Sequence, residues 1–150
     1  MKLIRTLAIV TLLATSANAF AAKTCKVELN GTDSMQFDKK EIAIAADCTD
    51  VEITLHHVGK LPAQAMGHNV VIAKTADIAG IAGDGAGAGF ANDHIKPGDA
   101  RVIAHSKIVG GGQTTSVTFP TSKLTKGEAY SFFCSFPGHW SVMKGALKIG

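Results

Sequence analysis

Short segments in which polar residues take every second position recur along the chain, and they constrain its fold more than any other feature. Residues 51–58 show the pattern most clearly. A period of two is typical of a β-strand with one buried face. Turn residues such as Asn30-Gly31 and Pro97-Gly98 separate the segments. Seven or eight such strands in 150 residues predict one all-β domain, a β-sandwich or barrel. The segments are residues 25–30, 42–45, 51–58, 68–72, 101–104, 116–119, 129–134 and 144–149.

The first 21 residues have the pattern of a secretory signal peptide. They comprise a basic start (residues 1–5), an apolar run (residues 7–14) and small residues that permit cleavage after Ala21 or Ala19. The apolar run is too short to span a membrane comfortably. We therefore expect an exported protein whose single domain covers residues 22–150, although a retained N-terminal anchor is the alternative.

The charge of the exported chain excludes one class of function. Removal of the leader lowers the formal net charge from +3 to +1, because the leader carries two basic residues and no acidic one. The remaining charges are scattered singly, and no cluster of Lys and Arg could follow a phosphate backbone. We expect neither nucleic-acid binding nor stable membrane association.

The cysteine count is odd, with Cys25, Cys48 and Cys134. An exported protein can form disulfides. One interpretation pairs Cys25 with Cys48 and keeps Cys134 for chemistry. The other leaves an inert buried thiol or an intermolecular bridge.

One short C-terminal loop presents three potential metal ligands. Cys134 and His139 are separated by four residues, and His139 and Met143 by three. Thiolate, imidazole and thioether ligands suit copper rather than magnesium or calcium. A His₂Cys copper site needs a second imidazole, and His68 is the best candidate. Two alternatives remain, a thiol nucleophile at Cys134 with His139 as its base, and a zinc site.

These motifs resemble those of a known family. The run from Phe133 to Gly145, together with Met66-Gly67-His68-Asn69, is similar to the azurins, which are bacterial periplasmic blue-copper proteins of the cupredoxin family. The resemblance covers nearly all of residues 22–150. It implies an eight-stranded Greek-key β-sandwich with one short helical flap, at residues 75–89, and it favours cleavage after Ala21.

The resemblance also implies a role for each site residue. His68, Cys134 and His139 are the expected equatorial ligands of one copper ion, with Met143 and the backbone carbonyl of Gly67 as distant axial partners. Asn69 is expected to connect the two ligand segments and, with the Phe136 amide, to donate hydrogen bonds to the Cys134 sulfur. Cys25 and Cys48 match the disulfide of the family.

By the same resemblance, an apolar face surrounds the exposed edge of His139 and contacts redox partners briefly. The implied function is single-electron transfer by Cu(II)/Cu(I) cycling in the periplasm, without enzymatic activity. Partners of the expected kind are c-type cytochromes and copper or haem reductases. A copper chaperone or storage protein is the alternative. The residues expected on this docking face are Met35, Leu61, Ala65, Met66, Ala86, Phe136, Pro137, Gly138 and His139.

Overall fold

The computed structural model describes residues 22–150, so the predicted leader and its cleavage site lie outside the described residues. Within this range the chain forms nine strands, two short α-helices and three single 3₁₀ turns. None of the described helices is long and apolar enough to cross a membrane. The strands are β1 (Thr24–Thr32), β2 (Gln36–Phe37), β3 (Glu41–Ile44), β4 (Asp50–His57), β5 (Val71–Lys74), β6 (Val102–His105), β7 (Thr114–Pro120), β8 (Tyr130–Phe133) and β9 (Lys144–Ile149). The helices are α1 (Ala63–Met66) and α2 (Ile78–Ala86), and the 3₁₀ turns are Thr75–Asp77, Phe90–Asn92 and Thr121–Lys123.

The strands form two sheets that pack as a sandwich, which confirms the predicted fold class. One sheet has the order β2-β1-β4-β7 and the other the order β3-β9-β8-β5-β6. Strands β1 and β4 pair in parallel, as do β3 and β9, whereas the other pairs are antiparallel. The described residues contain nine strands rather than eight, because the two-residue β2 pairs with the end of β1 as a separate strand.

The core lies between the two sheets, as the alternating pattern requires. Strand β4 shows this directly, because every second residue is buried and Val51, Ile53 and Leu55 are fully enclosed. Phe119 and Phe132 reach the same core from β7 and β8. Burial of this apolar surface is the main force that holds the sheets together.

A second, smaller cluster lies under α2. Ile78 and Ile81 of this helix pack against Val71, Ala73 and Phe133 on the outer face of the five-stranded sheet. The predicted flap is therefore present, although its α-helix begins at Ile78 after a 3₁₀ turn. Its glycines are compatible with the helix because packing offsets their low helix propensity.

The disulfide and the metal-ligand residues lie at opposite ends of β1. Cys25 and Cys48 are bonded, which confirms the first interpretation of the cysteine count. Thr32, at the far end of β1, contacts His68 through its carbonyl oxygen. Cys25 and Thr32 are seven positions apart, a distance of roughly 23 Å at about 3.3 Å per residue.

Candidate metal centre

Three buried side chains bring their donor atoms together at one end of the sandwich. The residues are His68, Cys134 and His139, and one donor atom from each lies within 4.8 Å of the others. Nδ1 of His139 is 3.7 Å from Sγ of Cys134, and Nδ1 of His68 is 4.0 Å from the same sulfur. The structure thus brings together the three residues that the sequence analysis predicts as equatorial ligands. Elsewhere in residues 22–150, no other group of three His, Cys, Asp or Glu side chains converges in this way.

The ligand loop leaves β8 and is closed by backbone hydrogen bonds. The Cys134 N–H donates to the Met143 carbonyl (3.1 Å), and the Met143 N–H donates to the His139 carbonyl (2.8 Å). The His139 N–H donates to the Phe136 carbonyl (3.0 Å). Gly138 has a φ of 84°, a conformation that favours glycine. The backbone itself therefore fixes the spacing of the three loop donors.

Backbone contacts also fix the orientation of His68. Its Nε2–H donates to the Thr32 carbonyl at 2.8 Å, which leaves Nδ1 unprotonated and directed towards Cys134. Its main chain exchanges two hydrogen bonds with Val109, of 3.0 and 2.9 Å. The Gly67 carbonyl oxygen lies 2.9 Å from Nδ1 of His68 and 3.7 Å from Sγ of Cys134. This carbonyl oxygen is therefore close enough to act as a further, weak metal ligand.

Two glycines allow neighbouring segments to pack closely around the site. A Cβ atom on Gly31 would lie 2.9 Å from Cδ2 of His68 and 3.1 Å from Cε of Met143. The fully buried Met143 side chain and the His68 ring therefore meet at Gly31. A Cβ atom on Gly67 would lie only 2.4 Å from the Ala63 carbonyl oxygen, so α1 can pack there only against glycine.

Asn69 and Ser135 connect the two ligand segments. The Ser135 N–H donates to Oδ1 of Asn69 at 2.9 Å, and Nδ2 of Asn69 donates to Oγ of Ser135 at 2.8 Å. The backbone amides of Asn69 and Phe136 face the Cys134 sulfur and lower the pKa of its thiol. Asn69 and Phe136 are predicted from the family resemblance, whereas Ser135 is not. The position of Ser135 beside a predicted ligand is the only signal that could have found it.

Burial keeps the donor groups neutral in the metal-free protein. It raises the pKa of the Cys134 thiol to about 12, although the two amides oppose this shift. Burial also lowers the pKa of His139 to about 4, with further lowering by the nearby His68 and His57. The pKa of His68 is lowered as well, mainly by burial. Both imidazoles are thus neutral at neutral pH, and a metal ion need displace only the thiol proton.

His57 packs against His68 but is not one of the predicted ligands. Its ring stacks on that of His68, with centroids 4.2 Å apart and planes inclined by 12°. Its Nε2–H donates to the Met66 carbonyl at 2.8 Å, and the Gly59 N–H donates to Nδ1 at 3.2 Å. Of the six histidines in the chain, the three outside the site and this stack are His56, His94 and His105.

Two of the predicted docking residues contact the histidines of the site, since Phe136 packs on His139 and the Met66 carbonyl accepts a hydrogen bond from His57. Leu61 and Met35 are 42% and 37% exposed, whereas Met66 and Phe136 are partly buried. His139 differs from expectation, because its ring lies just beneath this face and only 3% of the residue is exposed. Phe136 covers it, with ring centroids 4.7 Å apart. The predicted docking residues that are exposed are Met35, Leu61, Ala65, Ala86, Pro137 and Gly138.

The donor set fits a soft or borderline metal ion. One thiol, two imidazoles and a nearby thioether are the ligands that copper prefers, whereas magnesium and calcium require oxygen ligands. Zinc also binds Cys and His, usually as a closed tetrahedron of strong donors. Here only three strong donors converge, and the residues at the remaining positions are a thioether and a carbonyl. This arrangement favours copper.

Comparison with known proteins agrees with the geometry. Residues 23–150 match the model of a family described as copper binding proteins, plastocyanin/azurin family. The chain is 56% identical to azurin from Alcaligenes faecalis over 126 residues, which cover 84% of this chain and 98% of that one. It is 58% identical to azurin from Pseudomonas chlororaphis over 125 residues, or 83% and 98% of the two chains.

A solved structure supports the same assignment. The azurin Az-iso2 from the obligate methylotroph Methylomonas sp. strain J superposes with a TM-score of 0.81 at 44% identity, over 84% of this chain and 98% of that one. Sequence, fold and the convergence of two imidazoles on a buried thiol therefore agree. The chain belongs to the plastocyanin/azurin family of copper-binding proteins, as a blue-copper cupredoxin of the azurin type.

Proposed function

We propose that this protein carries single electrons between redox proteins in the periplasm and has no enzymatic activity of its own. His68, Cys134 and His139 hold one copper ion as strong donors, and Met143 and the Gly67 carbonyl are weaker partners. The bound copper supplies a reversible Cu(II)/Cu(I) couple. The observation that carries this proposal is the convergence of both Nδ1 atoms on the buried Cys134 sulfur, at 3.7 and 4.0 Å.

The surroundings of the donors restrict their movement, which suits electron transfer. His68 is held by the Thr32 carbonyl and by Val109, and the loop donors are held by backbone hydrogen bonds. A site whose donors are fixed before the metal binds changes little when the charge of the metal changes. A small structural change means a small reorganisation energy, and therefore fast transfer.

The face above the site suits brief contacts with other redox proteins. The residues proposed for this face include the exposed apolar side chains of Leu61 and Met35. Small interfaces of this kind are typical of weak electron-transfer encounters. Suitable partners are c-type cytochromes and copper or haem reductases. The leader pattern and the Cys25–Cys48 disulfide support an oxidising compartment outside the cytoplasm.

Titration of the metal-free protein with Cu(II) tests the ligand assignment. We expect an intense blue thiolate-to-copper absorption band that saturates at one equivalent. Cys134→Ser removes the thiolate and should abolish the band while leaving the fold intact, because serine is nearly isosteric. A band that persists in this variant would refute the assignment of Cys134.

Stopped-flow mixing of the Cu(II) protein with a reduced c-type cytochrome tests electron transfer. We expect rapid bleaching of the blue band together with oxidation of the haem. A band that bleaches slowly or not at all would contradict electron transfer and favour the storage or chaperone alternative.

Two matched variants test the docking face in the same experiment. Leu61 and Ile149 are 42% and 40% exposed, but Ile149 lies at the far end of β9 from the ligand loop. We expect Leu61→Glu to slow the bimolecular reaction several-fold, because it places a charge in an apolar contact. Ile149→Glu should leave the rate unchanged. Equal rates for the two variants would place the contact elsewhere.

A further inference from the structure

The chain turns sharply at Asp93 and His94. This corner supplies no metal ligand but contacts residues that adjoin the ligands. Both residues have left-handed backbone conformations, with φ of 52° and 49°. Such conformations are uncommon for residues other than glycine and persist where the surrounding structure fixes them. Asp93 is also buried, with 4% of its surface exposed. The structure must therefore hold this corner through specific contacts.

The first contact joins the corner to the bridge between the ligand segments. The Ser135 hydroxyl donates to the Asp93 carbonyl oxygen at 2.6 Å. Oγ of Ser135 also accepts a hydrogen bond from Nδ2 of Asn69, 2.8 Å away, and lies 3.1 Å from Oδ1 of Asn69. The Asp93 carbonyl is the closer acceptor for the single hydroxyl proton, so it holds the Ser135 side chain in place beside Asn69.

The second contact joins the corner to the segment that pairs with His68. Oδ1 of Asp93 accepts a hydrogen bond from the Ile108 N–H at 2.9 Å. The next residue, Val109, exchanges two backbone hydrogen bonds with His68. Cγ2 of Ile108 also packs against Gly67, where it would lie 2.5 Å from an added Cβ atom. The Asp93 carboxylate therefore fixes the segment at Ile108 and Val109, which pairs with the main chain of His68.

The third contact joins the corner to the ligand loop. The His94 ring meets the Phe136 ring edge to face, with centroids 5.6 Å apart and planes inclined by 78°. Phe136 in turn covers His139. The corner thus reaches the surroundings of both imidazoles and of the thiol without supplying a ligand.

We propose that Asp93 is a positioning residue of the copper site, acting through the Ser135–Asn69 bridge and through the Ile108 amide. This inference rests on the proposed binding of copper by His68, Cys134 and His139. Residues that orient metal ligands from outside typically change metal affinity by about 10–100-fold when they are removed.

The carboxylate charge is not what the position requires. Oδ2 of Asp93 accepts no hydrogen bond among the described residues. Its nearest cation is Lys107, 3.0 Å away with a side chain 76% exposed, and Nδ1 of His105 lies 3.9 Å away. An exposed lysine can move into solvent at little cost. Asparagine retains a carbonyl oxygen for the Ile108 amide and tolerates the left-handed conformation. Asp93→Asn should therefore still position the Ile108 segment, whereas Asp93→Ala should not.

The test compares Asp93→Ala with Asp93→Asn in two measurements. In the copper protein, we expect Asp93→Ala to release copper to a chelator at least about tenfold faster than the wild type. In the metal-free protein, it should accelerate hydrogen exchange at the Ile108 amide, which loses its side-chain acceptor, but not at Ile53 in the core. The backbone carbonyl that accepts from Ser135 remains in this variant. Asp93→Asn should restore both. Asp47→Ala, which removes an exposed carboxylate near the disulfide, controls for loss of charge.

Three results would overturn the positioning role. They are normal copper release in Asp93→Ala, exchange that rises uniformly through the core, and an Asp93→Asn variant that behaves like Asp93→Ala. If Asp93→Ala does not fold, Ser135→Ala removes the bridge alone, and normal copper release in that variant would refute the proposal equally. Because hydrogen exchange is measured without metal and copper release without a redox partner, the outcome is independent of whether the protein transfers electrons.

Discussion

Gly31 packs so closely against the edge of the His68 ring that a Cβ atom at Gly31 would lie 2.9 Å from Cδ2 of His68. The same atom would lie 3.1 Å from the terminal methyl group of Met143. Heavy atoms in ordinary contact are about 3.5–4.0 Å apart, so both side chains would have to move. Strand β1 therefore forms one wall of the metal site, although it contributes no ligand.

Gly31→Ala should perturb copper binding more than the fold. The backbone at Gly31 is extended, so alanine causes no conformational strain there, and the added methyl group acts only by displacing His68 and Met143. Overpacking of a buried site typically costs about 1–3 kcal/mol. We expect a shifted blue absorption band and faster copper release, measured by visible spectroscopy with a competing chelator.

Gly83→Ala is the matched control for this substitution. Gly83 lies inside α2, and no atom lies within 4 Å of the position that its Cβ would take. Alanine should stabilise the helix by about 0.5–1 kcal/mol and leave the absorption band unchanged. An identical spectrum for Gly31→Ala and Gly83→Ala would contradict the close packing of β1 against the site.

The metal-free protein should lose stability as the pH falls from about 6.5 to about 4. Folding lowers the pKa of His139 from its ordinary value of 6.5 to about 4, mainly by burial. Between these values the unfolded state binds more protons than the folded state, so the free energy of unfolding falls as the pH falls. His68 contributes in the same direction. Urea denaturation at pH 7, 5.5 and 4 measures the effect.

His139→Asn provides the comparison for the acid range. It removes one of the three imidazoles with a lowered pKa, the others being His68 and His94, so the loss of stability between pH 6.5 and 4 should be smaller than in the wild type. If the two proteins lost stability in parallel, the acid sensitivity would arise from the carboxylates and not from the buried imidazole.

Sequence patterns predicted the framework and the ligand loop better than they predicted the contacts around the loop. Alternation identified β4 because each buried residue is followed by a more exposed one. The spacing of Cys134, His139 and Met143 lies within one loop and is visible directly in the sequence. His68 is the best candidate for the second imidazole, but the sequence alone does not bring it to Cys134, which lies 66 positions away.

The contacts that hold the site were not predictable from the sequence. The Ser135 hydroxyl reaches the Asp93 carbonyl across 42 residues, and only the fold brings them together. Asp and His adopt a left-handed backbone more often than most residues, but too rarely for the sequence alone to predict it at Asp93 and His94. The burial of His139 under Phe136 also depends on the conformation of the loop, which the spacing of the ligands alone does not determine.

Loss of the Cys25–Cys48 disulfide should reduce stability without altering the copper site. The bridge joins residues 23 positions apart, and a loop of this length contributes about 3 kcal/mol by restricting the unfolded chain. It lies at the opposite end of β1 from Thr32, whose carbonyl contacts His68. We expect the double variant Cys25→Ser, Cys48→Ser to unfold at lower urea concentration with an unchanged blue band. A changed band would show that the two ends are coupled.

Metal affinity should rise with pH because the Cys134 thiol must lose its proton on binding. Burial raises the pKa of this thiol to about 12, so the metal-free protein retains the proton throughout the neutral range. His139, with a pKa of about 4, is already unprotonated there. The binding constant should therefore rise about tenfold per pH unit between pH 6 and 9, with release of about one proton. Below pH 4 the dependence should become steeper, since protonated His139 must also lose its proton.

Zn(II) is the suitable probe for this measurement, because it binds Cys and His but does not oxidise the thiol. Calorimetric titration in buffers of different ionisation enthalpy gives the number of protons released. No proton release at pH 7 would mean that the thiol is already ionised, and that the Asn69 and Phe136 amides outweigh the burial of the sulfur. The measurement thus decides which effect on the pKa of the Cys134 thiol is larger, the rise caused by burial or the lowering caused by the two amides.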